Sequence, residues 1–295
     1  MIVLSGKEVS NKKLEELKIR TDKFIEKYNR KPTLAVILVG DDPASQTYVA
    51  SKKKACLKIG FNHRDYLLDS SVKQQELNKL IDDLNRDDSV DGILVQMPLP
   101  KHLNEQEIIE RIRSDKDVDG FHPINVGKLL IGLDCFVSCT PKGIMSILDY
   151  YNIATKSKNV VIIGRSNIVG KPMASLLIQK GRDATVTIAH SRTKNLKELT
   201  QTADIIIAAI GRPFFVTEDM VKEDAIVIDV GINRIEDSSR KRGYRVVGDV
   251  DYENVKNKAS AMTPVPGGVG LMTIAMLMEN TIESAIKHEE KDING

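Results

Sequence analysis

A tyrosine and a lysine stand four residues apart after the first apolar run of the sequence. Tyr48 and Lys52 would share one face of a helix, because residues at this spacing lie one turn apart. A tyrosine offers a flat ring for stacking and a hydroxyl group, and a partly desolvated lysine can exchange protons. Taken alone, the pair is better explained as an exposed lysine beside a half-buried tyrosine, since Lys53, Lys54 and Lys58 are nearby.

Gln96 and Asp119 are further candidates for the same chemistry. Gln96 stands at the end of an apolar run, where an amide needs hydrogen-bond partners. It could orient Lys52, and a satisfied buried glutamine fits equally well. Asp119 lies in the turn-like stretch 116–123, where aspartate is usually a turn former or a cap.

The segment Gly164–Gly170 has the features of a phosphate-binding turn. It follows the apolar run 160–163 and precedes a helix that can begin around Pro172, whose fixed φ suits a first turn. Glycines let the backbone approach a pyrophosphate, and the helix start supplies N–H donors. The spacing is not G-x-G-x-x-G, so a plain strand-to-helix turn fits the isolated segment equally well. The βα units that follow favour a nucleotide.

The identity of that nucleotide depends on the region about 20 positions further on, where an NAD site usually has an acid. Here the sequence reads His190-Ser191-Arg192. The missing acid and the added arginine suit a 2′-phosphate, with Arg165 and Ser191 as further donors. Taken alone, Arg192 is somewhat better explained as a solvated surface cation.

These residues need a framework, and the apolar pattern predicts one. Short apolar strands that alternate with helices predict an α/β fold with mainly parallel sheets, in which ligands bind beyond the carboxyl ends of the strands. We therefore expect residues 40–48 and 96–100 to rim one cleft. The predicted strands are 34–39, 92–97, 160–163, 185–189, 205–210 and 225–230, and the main predicted helices are 6–28, 44–58, 74–84, about 140–151 and 271–286.

Composition narrows the class of protein. A chain of 295 residues is near the upper limit for one core, so two domains are expected. Lys plus Arg number 43 against 41 Asp plus Glu, which gives no reason to expect nucleic acid or an acidic membrane as a partner. Three cysteines indicate a reducing compartment, and Cys135 and Cys139 without a second pair predict no metal site. With neither a signal peptide nor an 18-residue apolar run, a cytoplasmic location is expected.

Five segments together resemble the bifunctional methylenetetrahydrofolate dehydrogenase/cyclohydrolase family, over almost the whole chain from about residue 36 to 281. They occur in the family's order: LVGDDPASQTYV (38–49) with Lys52, DGILVQMPLP (91–100), KDVDGFHP (116–123), GRSNIVGKP (164–172) and TPVPGGVG (263–270). Leu271 and Ser138 depart from the family pattern, which has proline at both positions. Neither change removes a functional side chain.

The resemblance implies a folate-binding catalytic domain (1–139 plus 268–295), a Rossmann-type NADP-binding domain (140–267) and a cleft between them. It implies that Lys52 is the central catalytic residue, that Gln96 positions Lys52, and that Tyr48 and Asp119 bind the folate. It further implies substrate contacts from Pro264, Gly267 and Gly268, and NADP contacts from Gly164, Arg165, Ser166, Ile168, Gly170, Pro172, His190, Ser191, Arg192 and Ile232. A homodimer joined through the nucleotide-binding domains is also implied.

The implied reaction is NADP-dependent oxidation of 5,10-methylenetetrahydrofolate and hydrolysis of the methenyl product to 10-formyltetrahydrofolate, within one-carbon metabolism and purine biosynthesis. Two other hypotheses compete with it. Tyr48 and Lys52 also fit the Tyr-x-x-x-Lys of short-chain dehydrogenases, but there the nucleotide turn precedes the tyrosine, whereas here Gly164 follows it. A nucleotide-sensing scaffold without catalysis is disfavoured because Tyr48, Lys52, Gln96 and Asp119 are all present.

Overall fold

The computed structural model describes residues 1–240 and 243–294, and the chain divides into two α/β units. The three-stranded unit comprises residues 12–139 and the segment from Ile274 onward, and the six-stranded unit comprises residues 1–11 and 140–273. The predicted α/β class with parallel sheets is confirmed. Lys241, Arg242 and Gly295, which the predicted domain ranges include, lie outside the described residues.

The helices and strands follow one another along the chain in a largely alternating order. The helices are α1 Gly6–Tyr28, α2 Pro43–Ile59, α3 Gln74–Arg86, α4 Glu105–Arg111, α5 Pro123–Leu130, α6 Cys139–Tyr150, α7 Gly170–Leu177, α8 Leu196–Thr200, α9 Tyr252–Val255 and α10 Val269–Asn294. The strands are β1 Ile2–Val3, β2 Thr33–Val39, β3 Asn62–Leu68, β4 Gly92–Val95, β5 Asn159–Ile163, β6 Thr185–Ala189, β7 Ile205–Ala208, β8 Ile226–Asp229, β9 Asn233–Glu236, β10 Tyr244–Val247 and β11 Ala261–Met262. Within the described residues, no helix has the length and apolar character needed to cross a bilayer.

The three-stranded unit is built around β2, whose seven residues are all buried. This strand pairs in parallel with β3 on one side and β4 on the other, so that Ile37 lies opposite both Tyr66 and Val95. A strand in this position must be apolar on both faces, which explains its unbroken run of aliphatic residues. The apolar face of α3 packs into the same core through Leu77 and Ile81.

The large sheet of the six-stranded unit has the strand order β1-β11-β8-β7-β5-β6, and all pairings within this sheet are parallel. Residues of β5, β7 and β8 form one face of its core together with the segments that follow them. Parallel strands end at one edge of their sheet, so the loops after β5, β6, β7 and β8 meet there. This edge is the place expected for a nucleotide.

Several elements were not predicted, among them the strand β3 and the hairpin of β9 and β10. The strand β3 reads Asn-His-Arg-Asp-Tyr-Leu-Leu and is exposed at three of its seven positions, so it lacks the apolar run by which the buried strands were identified. The antiparallel hairpin of β9 and β10 is also largely polar and pairs only with itself. Both escape a search for continuous apolar runs, because an edge strand needs apolar residues on one face at most.

A buried carboxylate ties together distant parts of the three-stranded unit. Asp91 is fully buried and accepts two hydrogen bonds of 2.9 Å from the Arg30 guanidinium and one of 2.8 Å from the Thr33 N–H. His288 on α10 approaches the same carboxylate at 3.4 Å. Burial acts to raise the pKa of Asp91, but hydrogen bonds from His288 and Arg30 hold it below its ordinary value. The group therefore stays ionised near neutral pH.

We predict that Asp91→Ala lowers the free energy of unfolding by about 3 kcal/mol or more, because it leaves the Arg30 guanidinium and the Thr33 N–H without their buried acceptor. Denaturant unfolding followed by circular dichroism measures the loss. Asp83→Ala is the control, since Asp83 forms exposed ion pairs with Lys79 and Arg86 and should cost less than about 1 kcal/mol. Equal losses in the two variants would contradict the assigned importance of Asp91.

Candidate active site

The helix α2 begins directly after the loop that closes β2, and its start is fixed by local chemistry. The Asp42 carboxylate accepts a hydrogen bond of 2.8 Å from the Ser45 N–H, and Pro43 occupies the first turn. The helix then presents Tyr48 and Lys52 one turn apart, as predicted. The tyrosine is 41% exposed, whereas the lysine is 8% exposed. A ring available for stacking therefore stands beside a desolvated amine.

Lys52 is held by Gln96, which directly follows β4. The lysine Nζ donates a hydrogen bond of 2.9 Å to Gln96 Oε1, and Gln96 Nε2 donates one of 2.8 Å to the Met97 carbonyl. The second bond fixes the orientation of the amide, so its oxygen faces the lysine. The backbone N–H of Gln96 donates to the Ile37 carbonyl at 2.9 Å and so extends the β2–β4 pairing into the site. The contact expected between Gln96 and Lys52 is thus present, and its catalytic role stays a prediction.

Asp119 lies in a tight loop that a neighbouring aspartate holds closed. The buried carboxylate of Asp117 accepts hydrogen bonds from the backbone N–H groups of Phe121 and His122, at 3.3 and 2.8 Å, and from Asn125 Nδ2 at 2.8 Å. Asp119 itself uses none of these donors. Desolvation raises the pKa of Asp119 to about 6, although the Lys52 ammonium acts to lower it. The Asp119 carboxyl group and the Lys52 ammonium therefore interact electrostatically within the three-stranded unit.

The candidate nucleotide turn connects β5 to α7. Gly164 has a φ of +134°, and a Cβ there would lie 2.2 Å from the Ala209 carbonyl oxygen. A Cβ on Gly170 would lie 2.1 Å from the Gly164 carbonyl oxygen, so both glycines are required by close backbone contacts. Ser166 Oγ accepts a hydrogen bond of 3.1 Å from the Val169 N–H, and Pro172 is buried in the first turn of α7.

The turn lies beside the loop that follows β6. The N–H of Gly164 donates to the Ala189 carbonyl at 2.9 Å, which places the glycine turn next to the segment that begins at His190. There, His190 Nδ1 accepts a hydrogen bond of 3.2 Å from the Arg192 N–H. Arg165, Ser166, Ser191 and Arg192 are all exposed, as are Ile168 and Ile232. The geometry fits a 2′-phosphate, since two cations lie at this sheet edge and residues 190–194 contain no carboxylate.

The predicted substrate contacts divide between the two units. Pro264, Gly267 and Gly268 lie in the six-stranded unit, whereas Tyr48, Lys52, Gln96 and Asp119 lie in the three-stranded unit. The glycines form a turn against the start of α1: the Lys7 N–H donates to the Gly267 carbonyl at 3.0 Å, and a Cβ on Gly6 would lie 2.0 Å from the Gly268 oxygen. Among the residues that the structure describes, no group of three or more His, Cys, Asp or Glu side chains is arranged to hold a metal ion.

Comparison with known families decides the classification. Residues 4–119 match the description "Tetrahydrofolate dehydrogenase/cyclohydrolase, catalytic domain", and residues 138–289 match "Tetrahydrofolate dehydrogenase/cyclohydrolase, NAD(P)-binding domain". The chain belongs to the tetrahydrofolate dehydrogenase/cyclohydrolase family. The recognition made from the five sequence segments is therefore confirmed.

Similar members of the family cover nearly the whole chain. The bifunctional protein FolD of Chlorobium phaeobacteroides is 56% identical over 97% of this chain and 98% of its own. The crystal structure of the bifunctional FolD enzyme of Campylobacter jejuni is 53% identical, covers 97% and 99% of the two chains, and superposes with a TM-score of 0.92. A Trypanosoma brucei FolD complexed with NADP cofactor and inhibitor is 36% identical, covers 97% and 98%, and has a TM-score of 0.93.

Two buried carboxylates of this family member were missed by the sequence analysis. Asp249 accepts hydrogen bonds of 2.7, 2.9 and 2.9 Å from the backbone N–H groups of Ile210, Gly211 and Arg212, which follow β7. It also accepts one of 2.9 Å from Asn233 Nδ2. A single carboxylate thus shapes the loop after β7, at the edge where the nucleotide turn lies. No local pattern marks Asp249 as different from any aspartate in a turn.

Asp229, the last residue of β8, likewise accepts hydrogen bonds from backbone N–H groups, here in and around the loop after β8. It accepts hydrogen bonds of 3.0, 2.9 and 3.0 Å from the N–H groups of Gly231, Asp249 and Val250. Burial raises the pKa of Asp229 to about 6, against the lowering effect of these N–H donors. A Cβ on Gly248 would lie 1.8 Å from its Oδ2, so a glycine is needed beside it. An acid that ends an apolar strand is a signal by which Asp229 could have been found.

Proposed function

We propose that this chain oxidises 5,10-methylenetetrahydrofolate with NADP+ and hydrolyses the 5,10-methenyl product to 10-formyltetrahydrofolate. The observation that carries the proposal is the hydrogen bond from the buried Lys52 to Gln96, formed in the catalytic-domain region of a chain that is 53% identical to the Campylobacter jejuni enzyme. Mixing the protein with methylenetetrahydrofolate and NADP+ tests it: methenyl and NADPH absorbance should both rise. A chain that binds the nucleotide without turnover would instead be the sensing scaffold considered above.

Tyr48 and Asp119 supply the chemistry for holding a folate. The exposed ring of Tyr48 offers a stacking surface for a flat heterocycle, and its position on α2 places that surface one turn from Lys52. An ionised Asp119 accepts two hydrogen bonds, which matches the amino group and the adjacent ring N–H of a pterin. Both residues bind substrate in this proposal. Neither moves the proton.

Lys52 supplies the proton transfers of the hydrolytic step. Water adds to the cationic methenyl carbon, its oxygen loses both protons as the formyl C=O forms, and one carbon–nitrogen bond breaks; the freed nitrogen takes up one of the two protons and the other is released to solvent. An ammonium has three N–H donors, and Gln96 takes one of them, so the others remain for the substrate and the water. The fixed amide of Gln96 keeps Nζ in place while its proton count changes.

NADP+ accepts the hydride of the oxidative step when it is bound. We propose that the region 140–267 holds it, with the backbone of Gly164–Gly170 at the pyrophosphate and with Arg165, Ser191 and Arg192 at the 2′-phosphate. Two arginines without a nearby acid favour a phosphate over free ribose hydroxyls, because a carboxylate at the end of β6 would repel the additional charge. His190 shapes this loop through its bond to the Arg192 N–H.

We predict that Lys52→Met abolishes hydrolysis of methenyltetrahydrofolate and leaves NADP+ affinity unchanged, because methionine retains much of the length of lysine and cannot transfer protons. The decay of methenyl absorbance measures the reaction. Lys53→Met is the matched control: Lys53 is the next residue on α2, is exposed, and pairs with Asp65 at 2.6 Å. Normal hydrolysis by Lys52→Met would remove Lys52 from the mechanism.

We predict that the dissociation constant for tetrahydrofolate rises about tenfold between pH 7 and pH 5, since an Asp119 with a pKa of about 6 is mostly ionised at the higher pH and mostly protonated at the lower. Only the ionised form accepts both pterin hydrogen bonds, so affinity falls as the pH drops through 6. Titration calorimetry under anaerobic conditions measures it. Asp119→Asn retains any pH dependence that belongs to the ligand, and an equal pH dependence in both proteins would refute the role of Asp119.

We predict that NADP+ binds more tightly than NAD+, and that Arg165→Ala or Arg192→Ala weakens NADP+ binding about ten- to a hundredfold while NAD+ binding changes much less. Dissociation constants for both cofactors test this. Arg182→Ala is the control, because Arg182 belongs to the same unit but pairs with Asp149 on the surface. Equal wild-type affinities for the two cofactors would contradict the assignment.

We also propose that the protein is a cytoplasmic homodimer, joined through its nucleotide-binding regions, whose product serves one-carbon metabolism and purine biosynthesis. The support is the family membership and the apolar strands of the second half of the chain. Light scattering at micromolar concentration should give twice the chain mass of 32.8 kDa. A mass near 32.8 kDa would exclude a stable dimer.

A further inference from the structure

An asparagine on the C-terminal helix α10 reaches the backbone beside Asp119. Asn280 is fully buried, and its Nδ2 donates hydrogen bonds of 2.8 Å to the Val118 carbonyl and 3.0 Å to the Val137 carbonyl. An amide nitrogen has two hydrogens, so one side chain satisfies both carbonyls at once. It thereby joins two segments of the three-stranded unit that are 19 residues apart in the sequence.

The loop that contains Asp119 is closely packed against the segment that contains Val137. Gly120 packs so closely on the second segment that a Cβ there would lie 2.6 Å from the Ser138 nitrogen and 2.6 Å from the Val137 carbonyl carbon. The thiol of Cys139 lies 3.6 Å from the Val118 carbonyl and 3.9 Å from Asp119 Oδ1. The peptide that Asn280 binds is therefore the one that leads directly into Asp119, and its orientation sets the direction of that side chain.

We propose that Asn280 is a positioning residue for Asp119, which it orients through the Val118 carbonyl; the inference rests on the proposed folate-binding role of Asp119. Without the amide donors, the Val137 carbonyl loses its hydrogen bond from Asn280 and the Val118 carbonyl keeps only the long contact with the Cys139 thiol, so the Val118–Asp119 peptide is held less firmly. The side chain of Asp119 then leaves the orientation in which it meets the pterin. Asn280 touches no reacting atom in this proposal, so its loss should affect substrate affinity more than turnover.

The same helix offers a matched control. Ser284 lies one turn after Asn280 and is also fully buried, and its hydroxyl oxygen lies 2.6 Å from the Asp91 carbonyl and 2.7 Å from the Asp115 carbonyl, which share its single proton. Removing this hydroxyl likewise deprives α10 of a hydrogen-bonded contact with backbone carbonyls of the same unit. It leaves the Val118 carbonyl untouched, so Ser284→Ala separates loss of helix docking from loss of Asp119 orientation.

The experiment compares the wild type, Asn280→Leu and Ser284→Ala in the full chain. Asn280→Leu should raise the tetrahydrofolate dissociation constant about tenfold, with kcat and NADP+ affinity changed less than about twofold. Ser284→Ala should leave the folate dissociation constant within about twofold of the wild type. Thermal unfolding reports whether each variant is folded. If Asn280→Leu is not, Asn280→Ala replaces it, since its smaller side chain leaves room for water at the two carbonyls.

A double-mutant cycle shows whether Asn280 acts through Asp119. In an Asp119→Asn background, the change at Asn280 should weaken folate binding less than about twofold, because the group it orients has already lost its charge. Additive losses, or equal losses in Asn280→Leu and Ser284→Ala, would overturn the positioning role. A wild-type chain that turns over no folate would overturn the proposed function instead, so the two failures are distinguishable.

Discussion

The strand β2 has no side that faces water, and the rest of the three-stranded unit depends on this constraint. All seven of its residues are buried, so both of its edges must be paired and both of its faces covered. Parallel pairing with β3 and β4 satisfies the edges and brings the carboxyl ends of the strands together. The last pairing bond on one side is the one from the Gln96 N–H to Ile37. The position of Gln96, and hence its hold on Lys52, follows from that pairing.

Buried carboxylates perform the same structural task at several loops. A loop next to a buried sheet edge leaves N–H groups without partners, and an ionised acid can accept several of them. Asp249 does so for the loop after β7, Asp229 for the loop after β8, and Asp117 for the loop that contains Asp119. The acids that shape this protein therefore outnumber the one that we assign to substrate binding. Their carboxylate oxygens accept hydrogen bonds from loop N–H groups, which gives them a structural role.

The short motif at 116–123 shows how densely structural and chemical roles are combined. Lys116 is buried and donates to two backbone carbonyls, Asp117 closes the loop, and Gly120 permits a contact that no larger residue could make. His122 caps the helix α5 that follows, and Asp119 is the residue of this motif that we assign to substrate binding.

Although β6 lies at the sheet edge and is exposed or half-buried at four of its five residues, the α/β class, the other apolar strands, the order of the five motifs and the shared helix face of Tyr48 and Lys52 could be predicted from the sequence. These features are local: periodicity and apolar runs record which faces of a segment are buried, and residues four apart on a helix have a fixed relation. The polar edge strand β3 could not be predicted from the sequence, because the burial of its residues depends on the elements that pack beside it. The tertiary structure alone decided that Gln96 turns its oxygen to Lys52 and that Asn280 donates to Val118, 162 residues away. Such contacts depend on strand register and on the docking of α10, and no short-range pattern encodes either.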